Sequence, residues 1–176
     1  AGFGQPGAME DLSREIMREQ FETNVFGILE LTNQVLPIMR QQGYGRIMQV
    51  SSFLGFVSVP FLGAYNASKH ALEALTDTLR LELYYDPIDL ITIRPGAIRS
   101  RSQETAHLKL KQNIDRKQSY YKKIYALMER KFLSGKMQMP LALEPEAVSH
   151  KVWHALTAKK SKSKYTITQL TLLLAI

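Results

Sequence analysis

The chain has no cysteine. Disulfides, thiolate nucleophiles and cysteine-ligated metals are therefore excluded, and the redox compartment stays undecided. No apolar run approaches the ~18 residues that cross a bilayer. The first residues, 1–7, show no basic-then-apolar leader pattern, so the expected location is the cytoplasm. The sequence does not start with Met and is expected to begin inside a longer product. A metal-binding HExxH is lacking as well. His150 and His154 stand four apart in HKVWH, but no Glu and no third ligand accompany them, and no metal site is expected. There is no internal repeat.

What is present is an ordinary globular mixture. Of 176 residues, 45% are apolar and 22% charged, which suits one compact domain over 1–176. The net charge of +7 is concentrated. Between Arg99 and Lys136 there are eleven Lys/Arg against three acids, and the remainder holds twelve against thirteen. A basic stretch can face nucleic acid, anionic lipid or a phosphorylated ligand, or simply water. The solvated face is the reading adopted, with no nucleic-acid partner.

Hydrophobic spacing predicts a helix over 12–41, with Ser13 as its cap, a bend near Asn24 to Gly27, Pro37 tightening its end and Gly43 stopping it. RIMQVSS, Arg46 to Ser52, reads as a buried strand. Tyr65 to Tyr84 reads as a helix whose stripe is Ala67, Ala71, Leu72, Leu75, Leu79 and Leu83. Asp89 to Arg94 is a second strand, closed by Pro95-Gly96. Residues 102–133 read as helical and basic, 144–158 as a helix with Pro145 in its first turn, and Lys164 to Thr168 as a strand. Buried strands alternating with long helices give an α/β fold: a parallel sheet with helices on both faces. Ligands of such sheets bind beyond the strands' carboxyl ends, here Ser51-Ser52 and Pro95-Gly96.

Tyr65 and Lys69 are i and i+4 on one helix face. A phenol is a poor base at neutral pH, since its free pKa is about 10. An ammonium one turn away favours the phenolate, and the pair can then exchange a proton with an alcohol or carbonyl. Ser52, just before the loop that leads to Tyr65, can hold the same oxygen. Alone, a Tyr-x-x-x-Lys pair equally fits a tyrosine packed under a lysine stem.

The combination is more specific. Ala1-Gly2, Asn24 in FETNVFG, Ser52 in VSS, Tyr65 and Lys69 in YNASK, and Pro95-Gly96 in RPGAIRS stand in one order, with Ser52 thirteen residues before Tyr65. In that order and spacing the chain resembles the C-terminal two thirds of a short-chain dehydrogenase/reductase. PEAVSHKVWHAL and KYTIT resemble the family's last helix and strand. The resemblance implies a three-layer Rossmann-type fold. It implies Tyr65 as general acid/base, Lys69 lowering its pKa and bonding the nicotinamide ribose, Ser52 orienting the substrate oxygen, and Asn24 supporting a proton-relay water. Pro95, Gly96, Ile98 and Ser100, a serine where threonine is usual, fall where the family's backbone meets the nicotinamide. The implied cofactor is NAD or NADP, with a slight lean to NADP. The implied substrate is a secondary alcohol or carbonyl. Residues 99–143 match the family's variable substrate lid, and Phe132, Leu133, Met137, Met139, Leu141 and Leu143 there suggest a lipophilic one. Trp153 and Met128 are read as core or lid packing, with a pocket lining as the other possibility. The helices 12–41 and 65–84 are expected to pair two subunits. The family's TGxxxGxG turn is not in this sequence. The expected missing part is about three strand–helix units, on the order of 80–90 residues at ~30 each, and the chain alone is expected to bind a dinucleotide poorly. The alternative is a non-catalytic remnant serving as a binding or subunit-interaction module.

Overall fold

The computed structural model describes residues 2–134 and 142–168, so Met137, Met139 and Leu141 of the expected lid fall outside it. After a 3-10 turn at Met9–Asp11, helix α1 spans Arg14–Phe21. Ser13 caps it, its Oγ accepting a hydrogen bond from the Ile16 N–H at 3.3 Å. The expected bend is a π-helical segment, Glu22–Phe26, between α1 and α2 (Gly27–Gln42). Pro37 lies inside α2 rather than at its end. Termination belongs to Gly43, whose φ of 79° is the left-handed conformation that glycine adopts freely.

Strand β1 is Gly45–Val50, starting one residue before the expected Arg46 and ending two before the expected Ser52. The strand ends where Ser52 Oγ accepts from Leu54 N–H at 3.2 Å and caps a 3-10 turn, Phe53–Gly55. Helix α3 is Gly63–Glu82 and β2 is Ile88–Arg94. The expected helix over 102–133 is two helices, α4 (Ser102–Asn113) and α5 (Lys122–Leu133). Asp115 divides them. Its Oδ1 accepts from the N–H groups of Lys117 at 3.2 Å and Gln118 at 3.3 Å, a local turn that competes with helix. Helix α6 is Glu146–Thr157 and β3 is Lys164–Thr166, shorter than the expected 164–168.

The sheet is parallel in the order β1-β2-β3, with Gly45 opposite Ile88 and Thr92 opposite Lys164. Strand alternation divides β2 between two cores. Ile88 and Leu90 pack with Leu36 of α2 and Leu83 just past α3. Ile91 and Ile93 point the other way, against Ala155, Val148 and Val152 of α6. Helices thus cover both faces, as expected of a Rossmann-type sheet. That inward face of α6 turns Trp153 outward, where it is 67% exposed, so the expectation that Trp153 packs in core or lid is corrected. His154 closes on the same core edge, its Nδ1 at 2.9 Å from the Tyr165 hydroxyl. A third cluster, Ala8, Leu110, Ile114 and Tyr125, fastens α4 and α5 over the N-terminal segment. Among the described residues no helix is long and apolar enough to cross a membrane.

Candidate active site at the strand carboxyl ends

The ends of β1 and β2 are tied to each other. Ser51 N–H donates to Ile93 O at 2.8 Å and Phe53 N–H to Pro95 O at 2.9 Å. This draws the Ser51-Ser52 exit and the Pro95-Gly96 exit to one place, where α3 begins. The lead-in to α3 is strained. Phe61 has φ of 62°, unusual for a bulky residue, and is held there by Gly7 N–H on its carbonyl at 2.9 Å. The ring of Tyr121, edge-on at 5.3 Å, packs against its side chain.

Tyr65 occupies the first turn of α3. Burial holds its phenol above the ordinary value, and the neighbouring Ser52 hydroxyl, which favours ionisation, offsets this only in part. Lys69, one turn on, is 5% exposed, with Nζ 5.8 Å from the centre of the Tyr65 ring. Nζ donates to Val50 O at 2.8 Å. Burial lowers the ammonium to about 8, against the opposing pull of Glu73. The sequence implied a Tyr65 phenol lowered by Lys69. The structure instead shows a raised one, because desolvation of the phenol is the larger effect.

Asn24 lies in the π-helical segment, fully buried. Its Nδ2 donates to Phe3 O at 2.9 Å and to Ser68 Oγ at 3.2 Å, and its Oδ1 accepts from Phe3 N–H at 3.2 Å. Ser68 Oγ in turn donates to Tyr65 O at 2.8 Å, linking Asn24 to α3. Gln20 adds a second clamp on the same segment, donating to Phe3 O and accepting from Gln5 N–H, both at 2.8 Å. Gly4 is thereby laid flat over the phenol: a Cβ there would stand 3.4 Å from the Tyr65 ring.

The structure therefore brings together Ser52, Tyr65 and Lys69, with Asn24 joined through Ser68 and Pro95 through Phe53. Ile98 packs instead toward the α6 core, and its neighbours Ala97 and Arg99 pair with Leu143. Ser100 is exposed, its hydroxyl 2.8 Å from that of Ser102. Two residues absent from the sequence reading belong to the neighbourhood. Glu73 and Arg94 form a bidentate ion pair, Arg94 Nε to Oε1 at 2.9 Å and Nη2 to Oε2 at 2.6 Å. The available signal was Glu73 at i+4 from Lys69. A cleft of about 750 Å³ opens at the opposite, amino ends of the strands. Arg46 there is already committed to Asp89 and to the carbonyls of Ala155, Leu156 and Ala158 that finish α6, so the cleft has the character of a structural join.

This arrangement can pass a proton between a phenol and a bound oxygen. The family profile described as short chain dehydrogenase matches residues 1–111. The chain belongs to the short-chain dehydrogenase/reductase family. It is 39% identical over 171 residues to the uncharacterized oxidoreductase YbbO of Escherichia coli, covering 97% of this chain and 57% of that protein. It is 33% identical to the NADPH-dependent 3-dehydrocapnine reductase of Ornithobacterium rhinotracheale, covering 95% of this chain and 58% of the relative. A short chain dehydrogenase/reductase from Burkholderia phymatum, solved in complex with NAD, superposes with a TM-score of 0.77 at 22% identity, over 98% of this chain and 60% of that one. That likeness shows the family's Rossmann-type fold. The chain thus spans less than two thirds of the relatives it matches.

Proposed function

We propose that this chain carries the proton-transfer half of an NAD(P)-dependent oxidoreductase acting on a secondary alcohol or carbonyl. The observation that carries the reading is the half-buried Tyr65 phenol, next to the Ser52 hydroxyl and one turn from Lys69. When bound, a nicotinamide cofactor supplies or accepts the hydride. The residues present fit its nicotinamide end. The Lys69 ammonium has three donors and, among the described residues, hydrogen-bonds only Val50 O, which leaves donors for a ribose hydroxyl. Asn24, joined to α3 through Ser68, and the loop of Pro95, Gly96, Ile98 and Ser100, tied to the Ser52 turn through Phe53, are the further groups we assign to that end. A relative described as NADPH-dependent and a fold neighbour holding NAD support the cofactor class and leave both forms open.

The roles follow from chemistry. Ser52 and Tyr65 hold the substrate oxygen between two hydroxyls. In reduction Tyr65 donates its proton to the developing alkoxide, and its raised pKa keeps that proton in place at neutral pH. Lys69, while charged, stabilises the resulting phenolate. Asn24 keeps residues 3–5 clamped beside α3, which fixes Gly4 over the phenol. The outer faces of α2 and α3 expose Leu31 (62%), Ile38 (60%) and Leu81 (76%), which supports pairing of two copies through them. The decisive test is Tyr65→Phe in the whole protein. Carbonyl reduction should fall ~10²-fold or more while folding and cofactor affinity persist. Unchanged kcat would assign the proton to another group.

A further inference from the structure

The Glu73–Arg94 pair is too deliberate for its place to be explained by packing alone. The side chains are 8% and 14% exposed, and the fork-to-fork geometry fixes both carboxylate oxygens. Arg94 is held from behind by the Phe56 ring, 5.0 Å from its guanidinium carbon. The 3-10 turn presses on the carboxylate's own stem. A Cβ added at Gly55 would meet Ser51 Oγ at 2.8 Å, Glu73 Cγ at 2.9 Å and Lys69 O at 3.1 Å. Glu73 therefore has little freedom, and it stands one helical turn from Lys69. A buried ion pair replaced by apolar residues is often no less stable, so stability does not account for its being here.

We propose that Glu73 and Arg94 are positioning residues for Lys69. Glu73, bound to Arg94 and one helical turn from Lys69, acts on its ammonium through space, and Arg94 limits how strongly that carboxylate pulls. Lys69 thereby keeps its charge at neutral pH in a site that otherwise disfavours it, without being locked into an ion pair that would withhold it from Tyr65. The groups facing Lys69 agree with this. On α3 the Tyr65 ring stands beside Lys69 and Glu73 follows one turn on, from the end of β1 the Val50 carbonyl accepts its hydrogen bond, and from β2 Arg94 reaches it only through Glu73. From the π-helical segment comes the neutral Asn24, through Ser68. Glu73 is the one anion among them. The proposal rests on Lys69 belonging to the site, but its test reads the lysine directly.

Titrating the Lys69 side chain by carbon-13 NMR in lysine-labelled protein, assigned with Lys69→Met, separates the possibilities. Glu73→Gln should lower the Lys69 midpoint from about 8 by ~1 pH unit, since the anion goes and Arg94 remains. Arg94→Gln should raise it, since the carboxylate then answers to Lys69 alone. Loosening of the fold would expose Lys69 and move both variants upward toward 10.5, so a midpoint that rises in Glu73→Gln, or does not move, overturns the proposal. If Arg94→Gln does not fold, Glu73→Gln, a neutral isostere, decides alone. Turnover measured in parallel distinguishes failure of the oxidoreductase reading, in which the midpoints still move apart, from failure of this one.

Discussion

Replacing Lys69 by Met should make the protein more stable while removing its proposed function. Lys69 is 5% exposed, and burial brings its ammonium from 10.5 to about 8. At 1.36 kcal/mol per pH unit, holding the charge in the folded state costs about 3 kcal/mol. The unfolded chain binds this proton more tightly than the folded one. The penalty is therefore full below pH 8 and shrinks as pH rises toward 10.5, where neither state holds the proton. Met has a similar length and no charge. It forfeits the bond to Val50 O, worth about 1 kcal/mol, and leaves Glu73 paired to Arg94. The net expectation is about 2 kcal/mol of added stability at pH 7, or ~4–8 °C in Tm for a chain of this size. Urea unfolding of both proteins at pH 7 and pH 10 measures it. A variant no more stable than the parent at pH 7, or a gain that is the same at both pH values, would refute the burial argument.

Other outcomes follow from other parts of the molecule. Tyr125 is pushed up to about 12 by burial and by bonding Asp11 Oδ2 at 2.6 Å, and it accepts from Ala8 N–H at 2.7 Å. Tyr125→Phe should cost about 1.5–3 kcal/mol in urea unfolding, and the double change with Asp11→Ala should cost less than the sum of the two. Gly43→Ala meets nothing within 4 Å but must hold a φ of 79°, so it should cost about 1 kcal/mol in the same assay and leave the site intact. Leu31→Glu with Ile38→Glu should shift the protein to a smaller species in sedimentation if the α2 and α3 faces pair copies. Calorimetric titration of the 176-residue chain with NADH and NADPH should show no micromolar binding, because Gly55 and Gly63 are packed against Glu73 and Met9 and offer no open backbone cradle for a pyrophosphate.

The alternation of strands and helices was legible because long periodic segments and glycine stops are local signals. The bend at Asn24 was legible too, though its π geometry was not. What escaped depended on side chains reaching back to the backbone. Asp115 divides α4 from α5, and Ser52 ends β1, through bonds that no periodicity encodes. The residues of the site were legible as a set through Ser52, Tyr65 and Lys69. Their electrostatics were not, since spacing places Lys69 near Tyr65 but says nothing of how dry the place is. Glu73, which the apolar stripe passes over, is 6% exposed, while Leu75, counted in that stripe, is 37% exposed. The buried face of α3 is in fact largely polar: Asn66, Ser68, Lys69, Glu73 and Thr76.

That polar face bears on why this helix carries the site. A helix buried for stability alone would present Leu and Ala to β1 and β2, and burying unpaired polar groups would cost it. Here nearly every polar side chain on the face has a partner on another element. Ser68 meets Asn24, Asn66 Nδ2 bonds Val59 O at 3.0 Å, and Glu73 takes Arg94. Among the described residues three buried side-chain atoms have no partner: Asn66 Oδ1 at the start of α3, Ser51 Oγ at the end of β1, and Arg116 Nε away from the site; Lys69 has one hydrogen bond for three donors. Spare donors on Lys69, in a polar face whose other members are mostly paired, suit a site that receives a polar ligand. The same pattern predicts that Lys69→Met gains stability, because the fold has no use of its own for the charge that it buries there.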